Sequence, residues 1–181
     1  MKTINIAMAF SIAFMLSGCL SQPAPQYDNN GIQLEEFKEL ESLRMPELNI
    51  PEGAPDGDYI ERYGNGAIQF KSWVKNNCLD KSITVYYKNG QPKMFIPIKD
   101  CKVDGVIKSY HPNGNLDTEM GYSNDRLNGD YKSYYDTPKN NLHLKTSFVN
   151  GVAEGVLEER GQDGELLKQG LIKDGKLYTA K

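Results

Sequence analysis

The sequence predicts an all-β protein: a meandering antiparallel sheet of about five 24-residue β-hairpin repeats, preceded by a short N-terminal helix. Turn sequences such as Asn-Gly recur at regular spacing along most of the chain. Between them, apolar and polar residues alternate with the period of two that a pleated strand requires. Before the first turn, apolar residues instead fall at near-helical spacing, which predicts the helix.

The first 18 residues predict a secretory signal peptide. Lys2 supplies a positive start, and the mostly apolar run over 4–16 is shorter than the roughly 20 residues that span a bilayer. The segment "LSGC" at 16–19 resembles the bacterial lipobox. That resemblance implies cleavage after Gly18 and lipidation of Cys19. The alternative is an ordinary cleaved signal peptide, with Cys19 lost or left as a free thiol.

A lipid on Cys19 implies a location in the bacterial cell envelope. Several acyl chains on one residue anchor firmly, because each buried methylene contributes about 0.8 kcal/mol. Leu20 stands where an aspartate would imply retention in the inner membrane, so the resemblance implies the outer membrane, facing the periplasm.

Two segments separate the lipid from the repeats. Residues 19–31 are polar and contain proline, which predicts a flexible tether. Residues 32–58 predict a short helix that ends at Pro46, followed by a loop rich in proline and glycine. We expect this helix to pack on one end of the next domain. A membrane-surface helix is disfavoured because anionic lipid would repel its glutamates: Glu35, Glu36, Glu39, Glu41 and Glu47.

Residues 59–181 predict the repeat domain. The turn glycines at 66, 90 and 114 are 24 residues apart, and a second set of turn positions, at 77, 101, 125, 151 and 175, is spaced 24, 24, 26 and 24. The wider interval matches a longer turn, "DTPKNN", at 136–141. Asn-Gly predicts a tight hairpin turn because glycine, and to a lesser degree asparagine, accepts positive φ cheaply.

One face of the predicted strands is apolar. Counting even steps from the turn glycines selects Ile68, Phe70, Val74, Pro92, Met94, Ile96, Ile98, Leu116, Met120, Tyr122, Leu142, Leu144, Phe148, Leu166 and Ile172. The odd steps are mostly polar. A single hairpin cannot bury its apolar face, whereas stacked hairpins can.

The repeat units resemble MORN-type repeats, and in particular the variant of the YwqK-type antitoxin family. The resemblance rests on "GVIKSYHPNGNLD" at 105–117 and "GDYKSYYD" at 129–136 and extends over 59–178. Lys81 replaces a glycine in the first unit, and Arg160 and Gly161 replace paired aromatics in the last. The family implies a scaffold for protein–protein or membrane-associated contacts.

Cys78 and Cys101 form an even pair after Cys19, which predicts a disulfide in an oxidising compartment. Both fall at or beside the second turn of neighbouring units, and such turns meet at one edge of a sheet. The alternative is two unpaired small core residues.

No pattern in the chain predicts catalysis, a metal site or a cofactor. His111 and His143 lack further ligands at metal-binding spacing. Glu158 and Glu159 are adjacent, so on a strand they would point to opposite faces. The net charge of −3, without a basic cluster, argues against a nucleic-acid partner.

Binding is the remaining class of function. Trp73 and Phe95 fall on the otherwise polar face and are candidate partner-binding residues. Alternatively, the N-terminal helix or the next unit covers them. Cross-strand stacking is the expected arrangement of the recurring tyrosines Tyr86, Tyr87, Tyr110, Tyr134 and Tyr135.

The sequence thus predicts a non-catalytic envelope lipoprotein that binds a protein partner through its β-repeat surface and the membrane through Cys19. Two alternatives stay open. One is a structural lipoprotein in contact with peptidoglycan or an assembly machine, and the other is an immunity or antitoxin-like protein. The oligomeric state is not predicted.

Overall fold

A computed structural model describes residues 32–33 and 53–179. In these residues the chain is all-β: 13 strands form one antiparallel sheet, and no helix is present. The predicted all-β class with an antiparallel sheet is therefore confirmed. The strands are β1 (Ile32–Gln33), β2 (Gly57–Arg62), β3 (Ile68–Lys75), β4 (Cys78–Tyr86), β5 (Pro92–Lys99), β6 (Lys102–Val103), β7 (Gly105–Tyr110), β8 (Leu116–Ser123), β9 (Arg126–Tyr134), β10 (Leu142–Val149), β11 (Val152–Arg160), β12 (Leu166–Lys173) and β13 (Lys176–Thr179).

The sheet is a meander from β2 to β13, in which each strand pairs with the next along the chain. The two short segments β6 and β7 both pair with β5, so together they occupy one strand position. At the far end, β1 pairs with β13 through Ile32 opposite Leu177. Among the described residues, β2 is the edge strand at the other end.

The predicted N-terminal helix is wrong at its first two residues. Ile32 and Gln33 are extended and pair with β13, since the exposed edge of that strand offers backbone hydrogen-bonding groups. The rest of the predicted helix, 34–45, lies outside the described residues.

Alternate turns lie at opposite ends of the strands in such a meander. We call the longer connections at 63–66, 87–90, 111–114, 135–140 and 161–164 the tip turns. In the first, Gly66 N–H donates to the Tyr63 carbonyl at 2.8 Å, and Tyr63 N–H donates to the Ala67 carbonyl at 2.8 Å. The turns at 87, 111 and 161 repeat both bonds.

The conformation predicted for Asn-Gly is correct for glycine and wrong for asparagine. Gly66 has a φ of 85°, whereas Asn65 is not among the residues with positive φ. Instead, the Asn65 side-chain oxygen accepts the N–H of Ala67 at 3.1 Å, and Asn89 and Asn113 do the same for Gln91 and Asn115. Asparagine is therefore used here as a side-chain acceptor that closes the turn.

The two-residue connections at the other end of the strands are the base turns. Both central residues have positive φ, for example 51° at Asn76 and 59° at Asn77, as a two-residue hairpin with the right-handed twist of its strands requires. The remaining base turns are Asp100–Cys101, 124–125, 150–151 and 174–175.

A disulfide joins Cys78 to Cys101, with 5.6 Å between the Cα atoms. It links the first base turn to the second, which confirms the predicted pairing. The bond lies where the two turns come together at one edge of the sheet, as expected from the repeat spacing.

The two faces of the sheet differ in burial. The apolar face holds the core, with Ile96, Ile107, Met120 and Tyr131 directly opposite one another on successive strands. Most of the predicted core positions are buried or half-buried. Leu166 is an exception at 48% exposure, because β13 pairs with β12 only at 170–173 and no other described strand lies beside Leu166 on that side.

Candidate binding surface on the polar face

Trp73 and Phe95 both lie on the polar face, as predicted. Phe95 lies opposite Thr84 on β4, and Thr84 lies opposite Lys71 on β3, two residues before Trp73. The strands that carry the two aromatics flank β4 and are thus about 10 Å apart at the usual strand spacing, and the aromatics are also offset by two residues along the strands. Phe95 is 37% exposed, while Trp73 is half-buried.

An open depression of about 460 Å³ lies beside Trp73. Among the described residues, the Trp73 ring is covered by Lys81, whose Nζ lies 3.6 Å from the ring centroid. The alternative in which the N-terminal helix covers Trp73 concerns residues outside those described. The depression is lined by Asp58, Lys71, Ser72, Trp73, Lys81, Ser82, Thr84 and Tyr86.

The backbone at Lys81 explains why its side chain reaches this ring. Lys81 has a φ of 64°, which is a left-handed conformation. It lies where the pairing of β3 with β4 shifts register, between Ser72 and Trp73 of β3. The corresponding positions in the other hairpins, which also have positive φ, are all glycine: Gly57, Gly105, Gly129 and Gly155. Sequence reasoning noticed the missing glycine but not the contact with Trp73.

Cationic side chains surround Phe95. Lys108 lies directly opposite it on β7, and Lys93 lies two residues away on the same strand and therefore on the same face. Lys71, Lys81 and Lys93 are exposed, and none of them forms an ion pair within the described part of the chain. The sequence reasoning missed this group, because a face can be assigned to each lysine only once the strand register is known.

A second depression, of about 430 Å³, lies on the same face in the C-terminal half. Its floor includes Gly121, where a Cβ atom would lie 2.6 Å from the Asn128 carbonyl oxygen. Here lysines and carboxylates are paired: Lys108 with Glu119 at 3.1 Å and Lys132 with Asp130 at 3.7 Å. The polar face is therefore cationic and aromatic near Trp73 and charge-balanced beyond Lys108.

Hydrogen bonding couples Glu119 to Tyr134. The Tyr134 hydroxyl donates to Glu119 Oε2 at 2.8 Å. Burial, followed by this bond and the nearby negative charge, raises the pKa of Tyr134 to about 12. Burial opposes ionisation of Glu119, but bonds from Tyr134 and Lys108 outweigh it, so the pKa of Glu119 is lowered.

The tyrosines of three tip turns act through their hydroxyl groups. Tyr63 donates to the Tyr86 carbonyl at 2.6 Å, Tyr87 to the Tyr110 carbonyl at 2.7 Å and Tyr135 to the Arg160 carbonyl at 2.7 Å. Each bond ties one tip turn to the next hairpin. Among the described residues, the recurring tyrosines do not stack on one another. One of them, Tyr135, packs on the neighbouring ring of His143, with ring centroids 4.5 Å apart.

The two histidines are not brought together. His111 takes the place of the tip-turn tyrosine in its hairpin, and its Nε2 lies 3.4 Å from Asp117 Oδ1. The angles at that contact do not meet hydrogen-bond geometry, so Nε2 has no hydrogen-bond partner among the described residues. Within the same residues, no cluster of three or more His, Cys, Asp or Glu side chains could hold a metal ion.

Glu158 and Glu159 also do not converge. They pair with different residues of β12, Gln169 and Lys168, and the Glu158 carboxylate lies 3.0 Å from the Arg160 guanidinium. Cys19 lies outside the described residues. Within the described ranges, 32–33 and 53–179, no helix is both long and apolar enough to cross a membrane.

No protein-family model matches the sequence, and no curated protein matches it significantly. The arguments about function therefore rest on the residues and geometry of this chain.

Proposed function

We propose that this chain is a non-catalytic lipoprotein of the bacterial envelope that binds a protein partner through the polar face around Trp73 and Phe95. A lipid on Cys19 anchors it to the outer membrane, facing the periplasm. The sheet consists of five MORN-like hairpins that serve as a rigid platform for this surface.

The observation that carries the proposal is the placement of Trp73 and Phe95. They are large aromatics on a face whose other members are mostly polar, and Phe95 is 37% exposed. Tryptophan and other aromatics are enriched among the residues that dominate protein interfaces, especially beside a concavity. The depression of about 460 Å³ at Trp73 is such a concavity.

The surroundings support a rigid recognition surface. Successive hairpins are joined by the disulfide at the base turns and by tyrosine hydroxyl bonds at the tip turns. A site on strands held in this way loses little conformational freedom on binding, which favours affinity. The repeat pattern of turns and positive φ positions supports the MORN-like assignment.

The test is crosslinking of the native protein, tagged after Lys181, in living cells of its source, followed by identification of the captured proteins. The Trp73→Ala/Phe95→Ala double variant is compared with wild type. The matched control is Val156→Ala/Leu167→Ala, which removes two exposed apolar side chains from the same face in the C-terminal half.

We expect one stoichiometric protein with wild type and with the control, lost in the Trp73/Phe95 variant. Thermal melts of all three proteins check that the variants remain folded. Recovery of peptidoglycan fragments alone, unchanged in either variant, would overturn the protein-partner proposal and favour the structural alternative. The same partner bound equally by all three proteins would place its site elsewhere, for example along the open edge of β2.

The anchor has its own test. Cells grown with labelled palmitate are expected to label the wild-type protein and not a Cys19→Ser variant. Labelling retained in Cys19→Ser, or absent from wild type, would contradict lipidation at this residue without bearing on the binding surface.

A further inference from the structure

We propose that the surface around Trp73 and Phe95 receives an acidic peptide segment of the partner protein, whose carboxylates pair with Lys71, Lys81 and Lys93. This inference rests on the proposed function and adds the chemistry of the partner. It is carried by the charge of the surface, by the strained backbone of Lys81 and by the arrangement of the strands.

The strand register places the three lysines around the aromatic pair. Lys71 and Phe95 both lie opposite Thr84, on either side of β4, and Lys93 is two residues from Phe95 on its own strand. Lys81 covers the Trp73 ring at 3.6 Å. A segment that crosses β3, β4 and β5 on this face would therefore meet cations and aromatic rings in alternation.

These lysines are available to a partner because none of them forms an ion pair with another described residue. Lys71, Lys81 and Lys93 form no ion pair, whereas Lys132 and Arg160 in the other half pair with Asp130 and Glu158. Unpaired like charges on one surface raise the local concentration of an oppositely charged partner and steer its approach. The complement to this surface is a segment with carboxylates.

Lys81 is held in place at a cost to the backbone. A left-handed conformation costs a non-glycine residue about 1–2 kcal/mol, and glycine fills this position in the other hairpins. Strained non-glycine residues that persist in a repeated structure point to a role for the side chain. Here the gain is an ammonium group fixed over Trp73 at the rim of the depression.

Two carboxylates of the protein beside Trp73 favour a peptide, rather than a uniformly anionic surface such as a lipid membrane, as the occupant of the site. Trp73 lies opposite Asp58 on β2 and opposite Asp80 on β4. An anionic lipid surface would be repelled by both. A peptide can present carboxylates to the lysines and backbone N–H groups to these aspartates, so the mixed pattern favours a peptide segment.

The test uses the single tryptophan of the chain as a reporter. The full-length protein in detergent is titrated with a 12-residue peptide of alternating Glu and Leu and with its Gln–Leu counterpart, and Trp73 fluorescence is followed. We expect saturable quenching or enhancement with the Glu–Leu peptide, at least about tenfold tighter than with Gln–Leu and weakened by salt.

Charge reversal locates the contact. Lys71→Glu/Lys93→Glu is expected to weaken the Glu–Leu peptide about tenfold or more, while the matched control Lys132→Glu/Lys145→Glu, on the same face, changes it less than about twofold. Equal affinity for the two peptides, equal loss in both double variants, or no binding of either peptide would overturn the inference.

Lys81→Gly separates recognition from structure. We expect it to raise the melting temperature, because glycine relieves the left-handed backbone, and yet to weaken binding of the Glu–Leu peptide several-fold. A purely structural lysine would move neither the peptide affinity nor its salt dependence.

Two further outcomes are informative. Phosphatidylglycerol, added as mixed micelles with the same detergent, would replace the proposed occupant by a lipid surface if it competes fully with the peptide. If the crosslinked partner is lost in Trp73→Ala/Phe95→Ala but retained in Lys71→Glu/Lys93→Glu, the binding function stands and the acidic-segment inference fails.

Discussion

The tip turns and the base turns hold the same hairpins together in different ways. At the tips, a tyrosine hydroxyl reaches the carbonyl of a residue about one repeat later, as from Tyr87 to Tyr110 at 2.7 Å. At the bases, the links are a disulfide and hydrogen bonds that join the turn residues to the neighbouring hairpin. Cys78 is bonded to Cys101, and Val103 and Asp125 exchange two hydrogen bonds of 2.7 and 2.9 Å.

Both sets of links connect only neighbouring hairpins. The stability of the sheet is therefore close to a sum of terms between adjacent units, as in other repeat proteins. Among the described residues, both edges have hydrogen bonds between neighbouring hairpins, and the base edge has in addition one covalent link near its N-terminal end. Substitutions at the two edges are expected to differ accordingly.

Removing the disulfide should have the largest effect. We expect Cys78→Ala/Cys101→Ala to lower the free energy of unfolding by about 3 kcal/mol, because the bond closes a loop of roughly 24 residues in the unfolded chain. Urea titration of the variant and of wild type measures the difference. A loss below about 1 kcal/mol would mean that the hydrogen bonds of the base turns, rather than the disulfide, stabilise the base edge.

Removing one tip hydroxyl should cost less. Tyr87→Phe leaves the Tyr110 carbonyl without its donor, and we expect a loss of about 1 kcal/mol in the free energy of unfolding. The matched control is Tyr110→Phe, because the Tyr110 hydroxyl forms no hydrogen bond with another described residue. Equal losses in the two variants would show that the ring, rather than the hydroxyl, supports the tip edge.

The sequence predicted the meander and its spacing because both depend on local signals. Apolar alternation selects the buried face, and the turn residues recur with the strands. An ambiguous assignment in one hairpin can therefore be resolved by comparison with the next hairpin. Phe70, Ile96, Phe148 and Ile172 were assigned to the core from this period and are buried.

Features that depend on contacts between residues far apart in the chain could not be predicted from the sequence. The tyrosine bonds join positions 23 or 25 residues apart, and only the register shows which carbonyl each hydroxyl meets. The exposure of Leu166 follows from the shortness of β13. At the candidate site, Trp73 and Phe95 were predicted, but the lysines around them required the strand pairing.

Restoring a tip link should stabilise the protein modestly. His111 stands where other tip turns have tyrosine, and its Nε2 has no hydrogen-bond partner among the described residues. We expect His111→Tyr to raise the free energy of unfolding by about 0.5–1 kcal/mol, because the hydroxyl would reach the Tyr134 carbonyl. His111→Phe is the control, and an equal gain in both would attribute the effect to burial of the ring.

Raising the pH should weaken the fold through a single group on the tip side of the sheet. Burial and the bond to Glu119 raise the pKa of Tyr134 from 10.0 to about 12. Between these values the unfolded chain has released the proton that the folded chain retains, so the free energy of unfolding falls as the pH rises from about 10 to 12. Urea titrations at pH 9 and pH 11.5 should show this decline.

Glu119→Gln tests the cause of that decline. The variant removes the carboxylate that accepts the hydrogen bond from the Tyr134 hydroxyl, so the pKa of Tyr134 should move back towards its usual value. The decline in stability with pH should then become shallower. Absorbance of the phenolate reports the titration directly. The base links involve no phenol, so an unchanged decline in this variant would mean that groups other than Tyr134 govern the loss of stability at high pH.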